Sequence, residues 1–299
     1  EGYRKAMVLG IAYAATIGGV GSLIGTPANP LAVEFLDTFV GRTITFTEWF
    51  GFGLPLVVLF LPVMGVYLWR RSKVTVQKEA FDDARSLARR EHEAAGPATR
   101  DQKVVLVVFV GTMVLWLSQT WHGLHPGIVA LIAVAALALL GMVKTSDLGR
   151  ISWSALITFG GGLALGVFLV KSGASDWVAT RFVGLAGLPH IVTLSAVAIL
   201  ALGLTAVASN TATAAMLVPL AIPLAGVLGM DPVQLVIIVA IASSVDFALV
   251  IGTPPTMIAY STGLYKTREI FKMGIVLDLI GIGILVTAVT WIWQLMGLV

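Results

Sequence analysis

The sequence predicts an all-α polytopic membrane protein, built on inverted repeats with discontinuous transmembrane helices and a re-entrant hairpin. Three observations lead there. Hydrophobic residues make up 58% of the 299 and charged residues only 12%, with a mean hydropathy of +0.95. That is more apolar surface than a water-soluble domain of this size has use for. Apolar runs of spanning length recur along the whole chain, and at roughly 20 residues per span there is room for about seven or eight membrane segments in a single membrane domain. Finally, one short motif occurs twice, as Ile24-Gly25-Thr26-Pro27-Ala28-Asn29 and as Ile251-Gly252-Thr253-Pro254-Pro255-Thr256.

Composition also narrows the function classes. The net charge is +3, but Lys and Arg sit between the apolar runs and form no basic stripe interleaved with aromatics, so no nucleic-acid partner is expected. Cysteine is absent, which removes disulfides, thiolate metal sites and a cysteine nucleophile together. The four histidines show no helical ligand spacing for a metal. The stretch from Glu1 to Lys5 runs straight into an apolar segment too long for a signal peptide, an abrupt start that suggests a chain cut at its N-terminal side.

Charge, Pro and Gly divide the apolar sequence into elements. Met7 to Leu31, Phe50 to Trp69, Val104 to Thr120, Pro126 to Val143 and Trp153 to Val170 read as membrane segments. Residues 189–228 are too long for one span, and residues 233–263 are interrupted by Gly252 and two prolines. A last helix over 273–296 ends with Trp291 and Trp293 at interface height. The polar stretch from Arg70 to Lys103 mixes Arg70, Arg71, Lys73, Arg89 and Arg90 with Glu79, Asp82, Asp83, Glu91 and Glu93, and reads as a solvated, partly helical linker.

The positive-inside rule places that linker in the cytoplasm. Ser118 to His125 then faces outward with no Lys or Arg, and Lys144 to Arg150 faces inward with two. Lys266, Arg268 and Lys272 also face inward, provided that 189–228 enters and leaves on one side. Residues 189–228 are therefore expected to be a re-entrant hairpin with Ala208, Ser209, Asn210 and Thr211 at its tip.

Under this topology the two Gly-Thr-Pro copies run in opposite directions, the sequence mark of an inverted-repeat transporter. Gly with Pro breaks a helix because Pro removes a donor and clashes with the preceding turn. At membrane depth such a break is tolerated only inside protein or beside a watery cavity. Its freed carbonyls can ligate a small cation, and the start of the next half-helix attracts an anion. Pro254 and Pro255 suit the first turn of that second half-helix, with Thr253 adding a hydroxyl. Ser209, Asn210 and Thr211 are N-cap types, flanked by alanines that permit close packing. A capped hairpin is the plain interpretation of the tip alone; combined with the repeated breaks it becomes a ligand site.

Ala208-Ser209-Asn210-Thr211-Ala212, followed about forty residues later by Gly252-Thr253-Pro254-Pro255, resembles the hairpin tip and helix break of divalent anion/sodium symporters. The similarity extends through Gly25-Thr26-Pro27 and Phe159-Gly160-Gly161-Gly162-Leu163, so it covers essentially the whole chain. The resemblance implies sodium-coupled symport of a divalent anion (a dicarboxylate, citrate or sulfate) by elevator-type alternating access, in a multi-pass protein of a bacterial or archaeal inner membrane that is in contact with lipid and dimeric in full-length form. It implies substrate contacts from Ser209, Asn210, Thr211, Thr253, Pro254 and Thr26. It further implies one sodium site at Thr205, Ala208, Asn210 and Gly252, and a second that keeps only Gly25 and Thr26. It implies no enzymatic activity.

The domain reading follows. Residues 1–69 are the second half of the first repeat, a broken helix plus the helix after it; 70–103 is the cytoplasmic linker. Residues 104–299 are the complete second repeat, with scaffold helices, hairpin 189–228, broken helix 233–263 and last helix 273–296. A tip matching Ser209 should precede Gly25 by about forty residues, and none is present, so a first hairpin is expected to lie ahead of this chain. The isolated chain is accordingly expected not to transport.

Two positions depart from the family pattern. Thr256 stands where Asn often follows the paired prolines, whereas the first copy keeps Asn29. Asp246 lies in an apolar span, where an acid is costly and by default functional; it either binds a proton or biases ion coupling, or it pairs locally with Ser243, Ser244 or another helix. It also defines the alternative function, a related antiporter or oxyanion exporter with Asp246 as the exchange acid. Asp278 in the last helix reads as structural. An intramembrane enzyme would need paired acids or a His-Glu-x-x-His arrangement, and a passive channel would fail to show counterflow exchange.

Overall fold

The structure, a computed structural model, describes residues 2–72 and 78–299. Glu1 and Lys73 lie outside the described residues, as do the side chains of Glu79, Asp82 and Asp83. In chain order the helices are α1 (Gly2–Val20), α2 (Ala28–Phe35), α3 (Phe46–Arg71), α4 (Lys78–Ala95), α5 (Arg100–Leu117), α6 (Gln119–His122), α7 (Pro126–Leu139), α8 (Trp153–Lys171), α9 (Ala174–Thr180), α10 (His190–Thr205), α11 (Asn210–Leu228), α12 (Pro232–Ala242), α13 (Pro254–Ser261), α14 (Thr267–Ile284) and α15 (Thr290–Leu295). A π-helical turn, Leu285–Val289, joins the last two. No strand occurs among the described residues.

These elements form two compact units. The smaller holds Thr45–Thr47, α4 to α7 and the chain up to Ser152, so the linker helix groups with the two apolar helices that follow it. In helix α4 the described side chains, from residue 85 on, are exposed, and Arg89 pairs with Glu93 one turn on at 3.0 Å. Helix α5 starts from a capping box in which Thr99 and Gln102 bond each other's backbone amides. It packs against α7, and the Trp116 indole donates to the Pro126 carbonyl at 3.0 Å. Phe46 stacks on Trp116, and its amide donates to Gln119.

The larger unit contains both Gly-Thr-Pro breaks and the hairpin. Three helices here are long and apolar enough to cross a membrane: α3, α11, and the run Thr267–Leu295 through the π turn. The bent pair α8–α9, turning by 71° at its break, passes the same test as one span. Gly173, with φ +75, supplies the left-handed conformation of that bend. Helix α10, at 16 residues, is shorter than α11, at 19, so the hairpin has unequal arms.

Packing places the hairpin. Helix α11 lies against α8, α9, α12 and α2, and the approach to α8 depends on glycine. A Cβ on Gly162 would lie 2.3 Å from the Ala215 Cβ of α11, and one on Gly166 would lie 3.0 Å from Pro219 of α11 and 2.2 Å from the Phe35 ring of α2. The hairpin base is tied to α12 by His190, whose Nε2 lies 2.8 Å from Gln234 Oε1. At the end of the chain, Trp291 is exposed, but Trp293 is fully buried and donates to the Phe52 carbonyl at 3.0 Å. Only Trp291 can serve as an interface anchor; Trp293 is a core residue that fastens α15 to α3.

Gly166→Ala and Gly162→Ala are expected to lower thermal stability by about 1–3 kcal/mol through overpacking. Gly160→Ala and Gly161→Ala, whose added Cβ would meet nothing within 4 Å, should stay within about 0.5 kcal/mol. Detergent melting curves on the four variants check the contrast.

Candidate functional site

Each break strands backbone groups that the continuing helix would have satisfied. At the first break, α1 stops at Val20, and its carbonyl takes the Trp49 indole N–H of α3 at 3.0 Å. The Asn29 side-chain amide donates to the Ser22 carbonyl at 2.8 Å and to that of Gly19 at 3.4 Å. Thr26 Oγ1 accepts from the Ala28 amide. Gly25 folds back so closely on Gly19 that a Cβ would stand 2.1 Å from its carbonyl oxygen.

At the second break, α12 stops at Ala242, and the hydroxyls of Ser243 and Ser244 both donate to the Ala240 carbonyl. Asp278 on α14 accepts from the amides of Phe247 and Ala248 at 2.7 and 3.2 Å. Thr253 is the N-cap of α13 and Pro254 its first residue, as the sequence predicts. Thr253 Oγ1 accepts from the Thr256 amide and lies 2.9 Å from Thr256 Oγ1.

The two breaks are joined crosswise. Helix α1 packs against α13 and α12 against α2, so each first half-helix meets the second half-helix of the other repeat. Thr16 Oγ1 of α1 lies 3.1 Å from Thr253 Oγ1, and Ser244 Oγ lies 3.0 Å from Thr26 Oγ1. In both contacts a hydroxyl from the end of one broken helix meets the threonine of the opposite Gly-Thr-Pro. The Tyr13 hydroxyl adds a bond to the Phe247 carbonyl at 2.9 Å.

The hairpin tip closes on the second break. Ser209 caps α11 by accepting from the Ala212 amide at 3.2 Å. The Thr205 hydroxyl lies 2.7 Å from Asn210 Oδ1 and 2.9 Å from the Ser243 carbonyl, which share its one proton. Three oxygens from the hairpin and from the end of α12 thus converge: a hydroxyl, a side-chain amide and a main-chain carbonyl. That is the donor set a hard monovalent cation uses at a broken helix.

Of the residues singled out from sequence, the structure brings together Thr205 with Asn210, and Thr26 and Thr253 each with a hydroxyl of the opposite repeat. Ser209, Pro254 and Gly25 are exposed, and Ala208, Asn210, Thr211, Thr26 and Gly252 half-buried, so they stand open to a ligand. Gly252 lies against a carboxylate: a Cβ there would be 2.0 Å from Asp246 Oδ2. The carbonyl bonded to Thr205 belongs to Ser243, a residue that sequence reading treated only as a partner for Asp246.

Asp246 itself is 0% exposed and lies in the break rather than within a helix. Its Oδ1 accepts a long bond from the Leu249 amide at 3.5 Å, and Oδ2 has no hydrogen-bond partner. The serines suggested as its partners bond Ala240 instead. The offset relating Gly25 to Gly252 relates Gly19 to Asp246, so the repeats differ in chemistry at the point where each loop folds back on its glycine. The sequence signal for Ser243 and Ser244 is adjacent hydroxyls at the end of an apolar run; Tyr13 and Thr16 carried none beyond their spacing on one face of α1.

Residues 3–299 match the family described as "Sodium:sulfate symporter transmembrane region". The chain is 29% identical to the sodium-dependent dicarboxylate transporter SdcS of Staphylococcus saprophyticus, over 96% of this chain and 58% of that protein. It is 30% identical to SdcS of Staphylococcus aureus, over 97% of this chain and 59% of that protein. It is 33% identical to an uncharacterized transporter of Methanocaldococcus jannaschii, over 94% and 63%. The chain therefore spans about three fifths of the length of these curated relatives.

Thr16→Val and Thr253→Val are expected to destabilise non-additively, with a coupling of about 0.5–1.5 kcal/mol in a double-mutant cycle. Additive effects would mean that the breaks are not joined through these hydroxyls.

Proposed function

The chain belongs to the sodium:sulfate symporter family, a family of transporters and not of enzymes, and on that premise we propose that it carries the ion and anion sites of a sodium-coupled secondary transporter for a divalent anion. The observation that carries this reading is the convergence of Thr205 Oγ1, Asn210 Oδ1 and the Ser243 carbonyl. Sodium held there, with Ala208 of the tip and Gly252 of the second break contributing to the same site, offsets part of the charge of a dianion at the tip. Gly25 and Thr26 belong to the corresponding site of the first repeat.

The anion is recognised by neutral donors. Ser209, Asn210 and Thr211 open α11, where backbone amides and the helix dipole favour negative charge. Thr253 at the start of α13 and Thr26 opposite each add a hydroxyl, and Pro254, which has no N–H, lines the surface with its exposed ring. A binding site without Arg or Lys suits an ion whose charge is balanced by co-bound cations, and so ties anion affinity to sodium. The relatives' names, sodium-dependent dicarboxylate transporters, support a dicarboxylate among dicarboxylate, citrate and sulfate. In this reading residues 189–228 re-enter the membrane, 70–103 is cytoplasmic, and the full-length protein is a dimer working by elevator-type alternating access.

Asp246 favours a second reading. Its Oδ2 is buried and unpartnered, and no ion pair involves it among the described residues. A buried carboxylate in that position is neutralised by a proton or a cation. The alternative is an antiporter or oxyanion exporter in which Asp246 exchanges protons.

Succinate is expected to raise the melting temperature of the detergent-purified protein in sodium but not in choline. Asn210→Ala is expected to increase the sodium required about tenfold or more, in keeping with the loss of an oxygen ligand. Stabilisation indifferent to sodium, but abolished or shifted in pH by Asp246→Asn, would replace symport by the proton-exchange reading.

A further inference from the structure

We infer that Asp278 is a positioning residue for the sodium site: its carboxylate fixes the loop of the second break, and through that loop the Ser243 carbonyl presented to Thr205 and Asn210. The inference rests on reading those three residues as an ion site.

Asp278 is 1% exposed and faces the loop from α14. Its two oxygens accept from two consecutive backbone amides, Phe247 at 2.7 Å and Ala248 at 3.2 Å. Each carboxylate oxygen takes one of the two amides, whereas an asparagine in the same place would turn its NH2 donor toward the second amide. The helix face around Asp278 is shaped to the same loop. Gly274, one turn before it, leaves space that a Cβ would fill at 2.0 Å from the Phe247 carbonyl oxygen. Gly281, one turn after it, would bring a Cβ to 3.0 Å from Val245 Cγ1. Positions spaced by three and four residues lie on one face, so the three form a single saddle for residues 245–248.

Phe247 is held on every side. Its amide is bound by Asp278, its carbonyl by the Tyr13 hydroxyl, and its ring lies between Tyr13 at 4.9 Å and Phe60 at 5.3 Å. From this fixed point the chain back to Ser243 is short and bonded: Val245 donates to Ala242 and Ser244 to Ile241. Only residues 244–246 separate this anchor from Ser243, so a displacement at residue 247 is expected to shift the Ser243 carbonyl. The carboxylate touches none of the proposed ligands and acts through the backbone alone.

The test titrates sodium, with choline balancing ionic strength, against the melting temperature of the purified protein for wild type, Asp278→Asn, Gly274→Ala and Thr205→Val. Asp278→Asn removes one acceptor and keeps the side-chain shape; Gly274→Ala pushes the same loop away from the same helix face and leaves the carboxylate intact. Both are expected to raise the sodium midpoint about fivefold or more, as Thr205→Val does by removing a ligand. A merely structural role would lower the sodium-free melting temperature and leave the midpoint in place. If Thr205→Val raises the midpoint while Asp278→Asn and Gly274→Ala do not, the positioning role is overturned and the ion site stands. If Thr205→Val leaves the midpoint unchanged, the ion-site reading itself fails. Should Asp278→Asn not fold, Gly274→Ala decides between the first two outcomes.

Discussion

Backbone amides and carbonyls left over where a helix stops inside an apolar protein must find partners, because each unsatisfied group costs several kcal/mol. At its two Gly-Thr-Pro breaks this chain supplies the missing partners from outside each helix: Trp49 and Asn29 at the first, Asp278 and Tyr13 at the second. The remaining polar groups meet across the repeats, Thr16 with Thr253 and Ser244 with Thr26. The opposed arrangement of α1 with α13 and α12 with α2 is what brings those hydroxyls within reach. Satisfying one repeat thus requires the other, and the polar centre of the unit is shared between them.

The same requirement sorts the site into support and contact. Thr205, Ser243, Ser244, Thr253 and Asp278 are buried and bonded to the breaks or the tip, Asp246 is buried with one oxygen unpartnered, and Ser209, Asn210, Thr211, Thr26 and Pro254 are exposed or half-buried. In the proposed site, buried groups with fixed partners would keep the exposed ones in place, the condition for strong binding by weak neutral donors. Symmetry is broken where Gly19 in one repeat corresponds to Asp246 in the other. The first loop folds back by glycine on glycine, the second by a carboxylate on glycine, so only the second can carry or exchange a charge.

What was legible in the sequence was what is encoded locally. Gly-Thr-Pro announced the breaks because Pro cannot continue a helix, and Pro254 duly begins α13. Ser209 announced a cap because its side chain bonds an amide three residues on. The long-range assignments were out of reach: nothing in the neighbourhood of Asp278 shows that it binds amides 30 and 31 residues away, or that Trp293 donates to Phe52 rather than standing at the interface. Ser243 joins the proposed ion site through its main-chain carbonyl, which no side-chain pattern marks. The grouping of α4 with α5 to α7 likewise follows from packing between helices, and the uniform apolar character of α5 and α7 does not reveal their neighbours.

The chain contains no cysteine, so the crosswise contact between the breaks can be read directly. Thr16→Cys combined with Thr253→Cys replaces two hydroxyls that lie 3.1 Å apart by two thiols. Oxidation of the membrane-embedded double variant should give an intramolecular disulfide between those positions, found as a single cross-linked peptide by mass spectrometry. Two thiols that both react with a small maleimide yet form no disulfide would contradict the joining of the two breaks.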